Sequence, residues 1–391
     1  MGSGRILRLA VSFLFLLSGC VAGGPRVRTS PLDLDPPPCG VWNVVPSPNG
    51  GPGSNFLSGA AAASGDDAWA VGVAKDVRGR GRTLTLHWDG RTWTRAPSPN
   101  AEGDDFLNDV DVTADGAWAV GIHRGPDGIA RTLTLRWDAT GWRVVPSPNA
   151  SDADNFLTGV SARSGSDAWA VGYSIVDGSS RALALHWDGV RWSIVPTPDL
   201  AGLGESLNGV SAISATGVWA VGAHTPNGYP TQPLVLRWNG RSWERRPDPV
   251  ESERPMSISA VVATPAGRVV AVGGFRSLRG DGAVVLAGVR DDWSMVPRDT
   301  VGKVSESFSG VAAFSGGVWA VGSYSDGGSA RTLIERGVGP GWSRVASPNV
   351  ADEDSRLFGV AALPSGEAWA VGNSSGTNAL ERTLIVHFCP A

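Results

Sequence analysis

After its first 19 residues, this 391-residue chain nowhere places apolar residues at i, i+3, i+4 and i+7 over three turns, which excludes helical layers. Lysine is almost missing. Lys75 and Lys303 stand against 31 arginines, a bias that points to GC-rich coding, and the arginines form no basic stripe. Nucleic acid is therefore not an expected partner. No nucleophile, base and acid stand out as a set, which weighs against an enzyme. The apolar run Leu9–Leu17 is too short to span a membrane. Only three cysteines occur, Cys20, Cys39 and Cys389, and only 3 tyrosines against 17 tryptophans.

What the chain does have is a repeat. Ala-Trp-Ala-Val-Gly, or a close variant, stands at Ala68–Gly72, Ala117–Gly121, Ala168–Gly172, Val218–Gly222, Val269–Gly273, Val318–Gly322 and Ala368–Gly372. The steps between central residues are 49, 51, 50, 51, 49 and 50. A period this even means one supersecondary unit copied seven times, and at this length a propeller blade. Within a unit, Phe56–Ala60 is small and apolar, Ala68–Val73 and Thr83–Trp88 alternate at period two, and Trp93–Ala96 follows the hairpin signal Asp89-Gly90. Pro97-Ser98-Pro99-Asn100 ends the unit, because proline donates nothing to a ladder. The prediction is a seven-bladed all-β propeller of four-stranded antiparallel blades, strands A to D. The tryptophans are expected to pack between blades, and the small residues of strand A to suit a crowded axis.

The end units are incomplete in complementary ways. The last has strands A (357–360), B (368–372) and C (382–388), and residues 41–49 match a strand D. The N-terminal segment is expected to complete the last blade and remove its open edge. Aligned on an unbroken copy, Cys389 falls at Asp89 and Cys39 at Gly90, neighbours at a hairpin tip. A Cys39–Cys389 disulfide is predicted.

Met1–Gly19 reads as a signal peptide, with Arg5 and Arg8 before the apolar run. Leu17-Ser18-Gly19-Cys20 resembles the lipobox of bacterial lipoproteins. The resemblance implies that Cys20 carries lipid and holds the protein outside the cytoplasmic membrane, with no other membrane contact. Residues 20–38 then form a flexible tether and 39–391 the propeller. Without the first 19 residues, 31 basic stand against 37 acidic residues, a formal charge of −6.

The D–A and B–C connections are long and share one rim, where binding is expected. Two residues past the strand-B glycine the copies differ: Ala74, His123, Ser174, His224, Phe275, Tyr324 and Ser374. His123, His224, Phe275 and Tyr324, with Arg276 in the fifth B–C loop, are the candidate ligand contacts. Arg82, Arg131, Arg181, Arg331 and Arg382 are expected to pair with Asp105, Asp154, Glu205, Glu306 and Asp354 across the rim. No cofactor is expected, with calcium at Asp152, Asp154, Asp352 and Asp354 as the alternative. The fourth and fifth units break the pattern most, with Val270 in place of tryptophan in the fifth and the leading arginine missing from both, and this is read as drift before it is read as a site.

The Trp-Ala-Val-Gly and His-Trp-Asp-Gly-x-x-Trp signatures (Ala68–Gly72 with His87–Trp93, Ala168–Gly172 with His186–Trp192) resemble bacterial propeller repeats, broadly kelch-like and similar to the galactose-oxidase central domain. The resemblance spans 41–389 and implies fold. Only Gly273-Gly274 gives the kelch doublet, and three tyrosines with no unpaired cysteine in the folded part speak against a copper site. The expected function is a monomeric, non-enzymatic binding module for protein or glycan. The alternative is a secreted hydrolase or lyase of glycans, working near the axis through His123, His224 and rim acids.

Overall fold

The computed structural model describes residues 39–391 except 201, 248–252, 265–266, 278–279, 290–291, 299–304, 326, 351–352 and 377–379. The signal segment, Cys20 and Asp352 lie outside the described residues. The first whole blade shows the unit: A (Asn55–Ser64), B (Asp67–Lys75), C (Gly81–Trp88) and D (Trp93–Arg95), antiparallel in that order. Five further copies occupy 104–144, 155–194, 204–245, 256–295 and 305–345. Blades three and four are separate units joined by one parallel bridge, Ser180 to Gly204. The seventh blade has A (Asp354–Ala362), B (Ala368–Ser375) and C (Glu381–Phe388). Its D strand is Trp42–Val45, paired Trp42 to Phe388 through Val45 to Ile385. The inner strands touch in sequence from the first blade to the seventh and back to the first, so the ring is closed.

Two glycine positions make this geometry possible. Strand A carries a bulge at Ser58: Leu57 pairs with Gly72, then Gly59 with Val71. The bulge pushes the Phe56 carbonyl to 2.0 Å from where a Gly72 Cβ would sit. The glycine that ends every Ala-Trp-Ala-Val-Gly run meets the same obstacle, at 1.9 Å in Gly121 and Gly372. Gly59 faces the axis, where a Cβ would lie 2.7 Å from Asp109 Cα of the next blade. Small side chains thus let seven edge strands approach one another.

The core lies between blades. Trp69 and Val71 of blade one pack with Leu107, Leu135 and Trp142 of blade two. Strand-B tryptophans meet the strand-D tryptophan of the following blade edge to face: Trp69–Trp142 at 5.1 Å, Trp118–Trp192 at 5.0 Å, Trp169–Trp243 at 5.1 Å, Trp219–Trp293 at 5.5 Å. Such contacts add roughly 0.5–1.5 kcal/mol each beyond area burial. At the seam Trp42 does this job against Trp319 at 5.2 Å. The other face of the strand-B ring is covered within its own blade, by His87, His186 and His387 in blades one, three and seven. Arginines 136, 237 and 336 do the same in blades two, four and six. Blade five has lost both partners together, Val270 pairing with Ala287.

The Cys39–Cys389 disulfide is present, with Cα atoms 4.7 Å apart, and the Gly40 N–H donates to the Cys389 carbonyl at 2.7 Å. Strand D is shorter than the sequence indicates, ending at Val45 rather than Asn49. The Pro-Ser-Pro-Asn segment nevertheless continues the ladder by side chain. Asn49 Oδ1 accepts the Thr383 N–H at 3.0 Å, as Asn100 does for Thr83 (2.8 Å), Asn149 for Thr132 (2.9 Å) and Asn349 for Thr332 (2.8 Å).

Candidate ligand-binding groove

Two adjoining cavities open on the long-loop rim above blades five and six. The larger, about 390 Å³, is lined by Met256, Ser257, Gly274, Phe275, Arg276 and Asp281, among others. The smaller, about 200 Å³, is lined by Ser323, Tyr324 and Arg356, and both share Asp281, Glu306 and Ser307. The larger volume falls in the range of small-ligand pockets, roughly 300–1,000 Å³.

The groove stands on a buried ion network. Arg298 donates to Glu306 and, through Nε at 3.2 Å and Nη2 at 2.5 Å, to Glu335. Its side chain is 5% exposed and both carboxylates are 2% exposed. Arg344 reaches Glu306 at 3.4 Å and lies 4.7 Å over the Tyr324 ring, while Arg254 covers Phe275 at 5.3 Å. Burial opposes the Arg298 charge, but the bonds to Glu335 and Glu306 outweigh it and hold its guanidinium above the ordinary arginine value. Glu335 stands where the other blades carry Leu86, Leu135, Leu185, Leu236, Leu286 and Val386. That break in an apolar column was the sequence signal for the network.

Phe275, Arg276 and Tyr324 are thus brought to one groove. The two histidines are not. His123 Nδ1 lies 2.8 Å from Asp105 Oδ1 in blade two, and His224, 5% exposed, takes a bond from Arg245 at 2.9 Å in blade four. Ala74, Ser174 and Ser374 of the same series are buried, so the seven positions line no common pocket.

The rim ion pairs differ from expectation. Arg82 and Arg131 pair within their own B–C loops, with Asp76 at 3.7 Å and Asp127 at 2.6 Å. Four of the five acids cap backbone: Asp154 accepts the Ala130 N–H and Asp354 that of Ala330, each in the preceding blade, while Asp105 accepts the Ala101 N–H and Glu205 that of Leu200 in their own D–A loops. A turn that separates the charges by four to six residues brings them together more readily than two separate loops do. As for calcium, Asp154 lies 3.6 Å from Arg124 and Asp354 3.0 Å from Arg356, while Asp152 lines a shallow depression with Arg131. Among the described residues no three His, Cys, Asp or Glu side chains converge on one point.

The axis holds a channel of about 380 Å³ lined by all seven inner strands. Its polar groups tie blade to blade. Asn108, Thr158 and Asn208 donate to the carbonyls of Leu157, Leu207 and Ile258 of the next blade. Asp109, Asp111, Ser161 and Ser211 accept the next blade's N–H groups of Val160, Ala162, Ala212 and Ala263. Burial pushes the Asp109 carboxyl up to about 7 and that of Asp111 up to about 6, against the pull of their backbone N–H bonds. In the unfolded chain both titrate near 3.8. Between roughly pH 4 and 7 the folded protein therefore holds protons that the unfolded chain has released, and stability falls as pH rises through that window. Urea midpoints should be lower at neutral pH than near pH 5. The Asp109→Gly variant, which adopts the residue of five other blades, should flatten the slope. A midpoint that rises over this window would contradict the assignment.

No protein-family model matches the sequence, and no curated protein matches it. Solved structures do. YCF48, in a structure described as bound to D1 peptide, is 13% identical, with 90% of this chain and 95% of that chain covered and a TM-score of 0.55. The Cps50 (Swd1) β-propeller domain of Myceliophteria thermophila is 11% identical, with 90% and 100% covered and a TM-score of 0.52. YjhT is 11% identical, with 75% and 99% covered and a TM-score of 0.49. At such identities YCF48 and Swd1 establish the propeller architecture that the seven sheets display, and no more.

Proposed function

We propose that this chain is an exported, lipid-anchored binding module that holds a partner protein through its long-loop rim. The observation that carries this reading is the groove over blades five and six. It lies at the end of the blades opposite to the hairpin tips where Cys39 enters. A lipid on Cys20 and an 18-residue tether from 21 to 38 would leave that rim facing away from the membrane. YCF48, which shares the fold, is a propeller described with a peptide bound, and this favours a protein partner over a glycan.

The anchor and the face are tested separately. Cys20→Ser should move the protein from the membrane fraction to the medium and abolish incorporation of labelled fatty acid. A photo-crosslinking residue at position 275 should capture a partner on intact cells, and one at position 89, on the opposite rim, should not. Capture only from position 89 would refute the chosen face.

A further inference from the structure

The groove has a cause that comparison of the blades exposes. At the rim end of each blade, a strand-A residue faces the residue after the strand-B glycine. The seven pairs are Phe56–Val73, Phe106–Ile122, Phe156–Tyr173, Ser206–Ala223, Ser257–Gly274, Ser307–Ser323 and Arg356–Asn373. In blade three the two rings stack at 4.7 Å and 23° and fill the space. In blades five and six the same space is bounded by serines and a glycine. Ser257, Gly274, Ser307 and Ser323 are all lining residues of the two cavities. A Cβ on Gly274 would meet the Gly282 carbonyl oxygen at 3.3 Å and Ser307 Cβ at 3.4 Å, a tight fit, so the missing volume is chiefly that of the phenylalanine which Ser257 replaces. The depression is therefore a slot for aromatic rings from which the chain's own rings are missing.

Its walls and mouth specify an occupant. Met256 and the Phe275 ring supply apolar surface, and Arg254 backs that ring. At the mouth stands Arg276, exposed and without an ion-pair partner among the described residues. Of the two carboxylates in the lining, Glu306 is already held by Arg298 and Arg344, and Asp281 accepts the Ser277 N–H at 3.3 Å. An incoming group thus meets the apolar surfaces of Met256 and Phe275 among serines, beside a guanidinium that makes no ion pair among the described residues, which favours a carboxylate next to a ring. Resting on the binding-module reading above, we infer that the slot receives an aromatic side chain of an extended partner segment, with an adjacent acidic residue on Arg276. The partner's ring takes the place that Phe156 and Tyr173 fill in blade three.

The test uses the full chain and blocked synthetic peptides centred on Phe-Asp, Ala-Asp or Phe-Lys, with neutral oligosaccharides as a separate arm. Phe-Asp peptides should bind best, and loss of the ring or reversal of the charge should weaken binding about tenfold or more. Ser257→Phe, which gives blade five the residue of blades one to three, should abolish binding with no drop in thermal midpoint. Arg276→Glu, an exposed change that spares folding, should reverse the preference toward Phe-Lys. The inference is overturned if wild-type protein binds none of the peptides, if the folded Ser257→Phe variant binds as wild type does, or if only oligosaccharides bind through the slot. Should Ser257→Phe still capture its cellular partner through position 275, the binding-module reading survives and the aromatic slot alone fails.

Discussion

Replacing Arg298 by serine should destabilise the protein by about 3–5 kcal/mol, the usual cost of stranding buried charge. Serine is what the repeat carries at this place, as Ser47, Ser98, Ser147 and Ser347, so the loss would not stem from an unsuitable residue. It would stem from Glu335 and Glu306, each 2% exposed, of which only Glu306 keeps a cation, Arg344 at 3.4 Å. The second half of the prediction is sharper. Adding Glu335→Leu restores the repeat's own serine and leucine on both sides of the interface, and apolar replacement of a buried pair is often neutral or stabilising by about 1–4 kcal/mol. The double variant should therefore regain most of what Arg298→Ser loses, a coupling readable from a cycle of urea unfolding curves. Costs that simply add would show that the two residues are not partners.

The seam should give the other large effect. The disulfide closes a loop with a sequence separation of 350. The chain-entropy model puts its ceiling at about 5–6 kcal/mol for such a loop, with realised values typically about 2–4 kcal/mol. Changing Cys39 and Cys389 to serine should cost an amount in that range. It should also loosen Trp42–Val45, a four-residue outer strand whose hold is then its ladder with Ile385–Phe388 and the burial of Trp42. Hydrogen exchange at Val45, which pairs with Ile385, and tryptophan fluorescence should report this opening before global unfolding. Identical denaturation midpoints with and without reductant would count against it.

Much of this was legible in the chain because repetition converts one residue's environment into seven observations. The tryptophan period gave the blades, the truncated end units gave the seam, and the cysteines fell on a hairpin tip that the other copies leave whole. The rest was hidden for definable reasons. Asp154 reads as a partner for arginine, yet a strand-head carboxylate sits in register with the first free N–H of the preceding blade. Asp109 draws no reading from the sequence, because nothing in one strand announces that its carboxylate will bond Val160 of the next. His123 and His224 look available until Asp105 and Arg245 are seen beside them. The groove is a shortage of side-chain volume at Ser257 and Gly274, and missing volume writes no motif.

The seam carries one more implication. Because Cys389 and Cys39 occupy the tip that Asp89 and Gly90 hold in an uninterrupted sheet, the place where the polypeptide starts is arbitrary with respect to the architecture. A circular permutant that fuses position 389 to 39 and begins instead at Gly90 or Gly189 should keep every tryptophan contact, and would make the cysteine clasp dispensable.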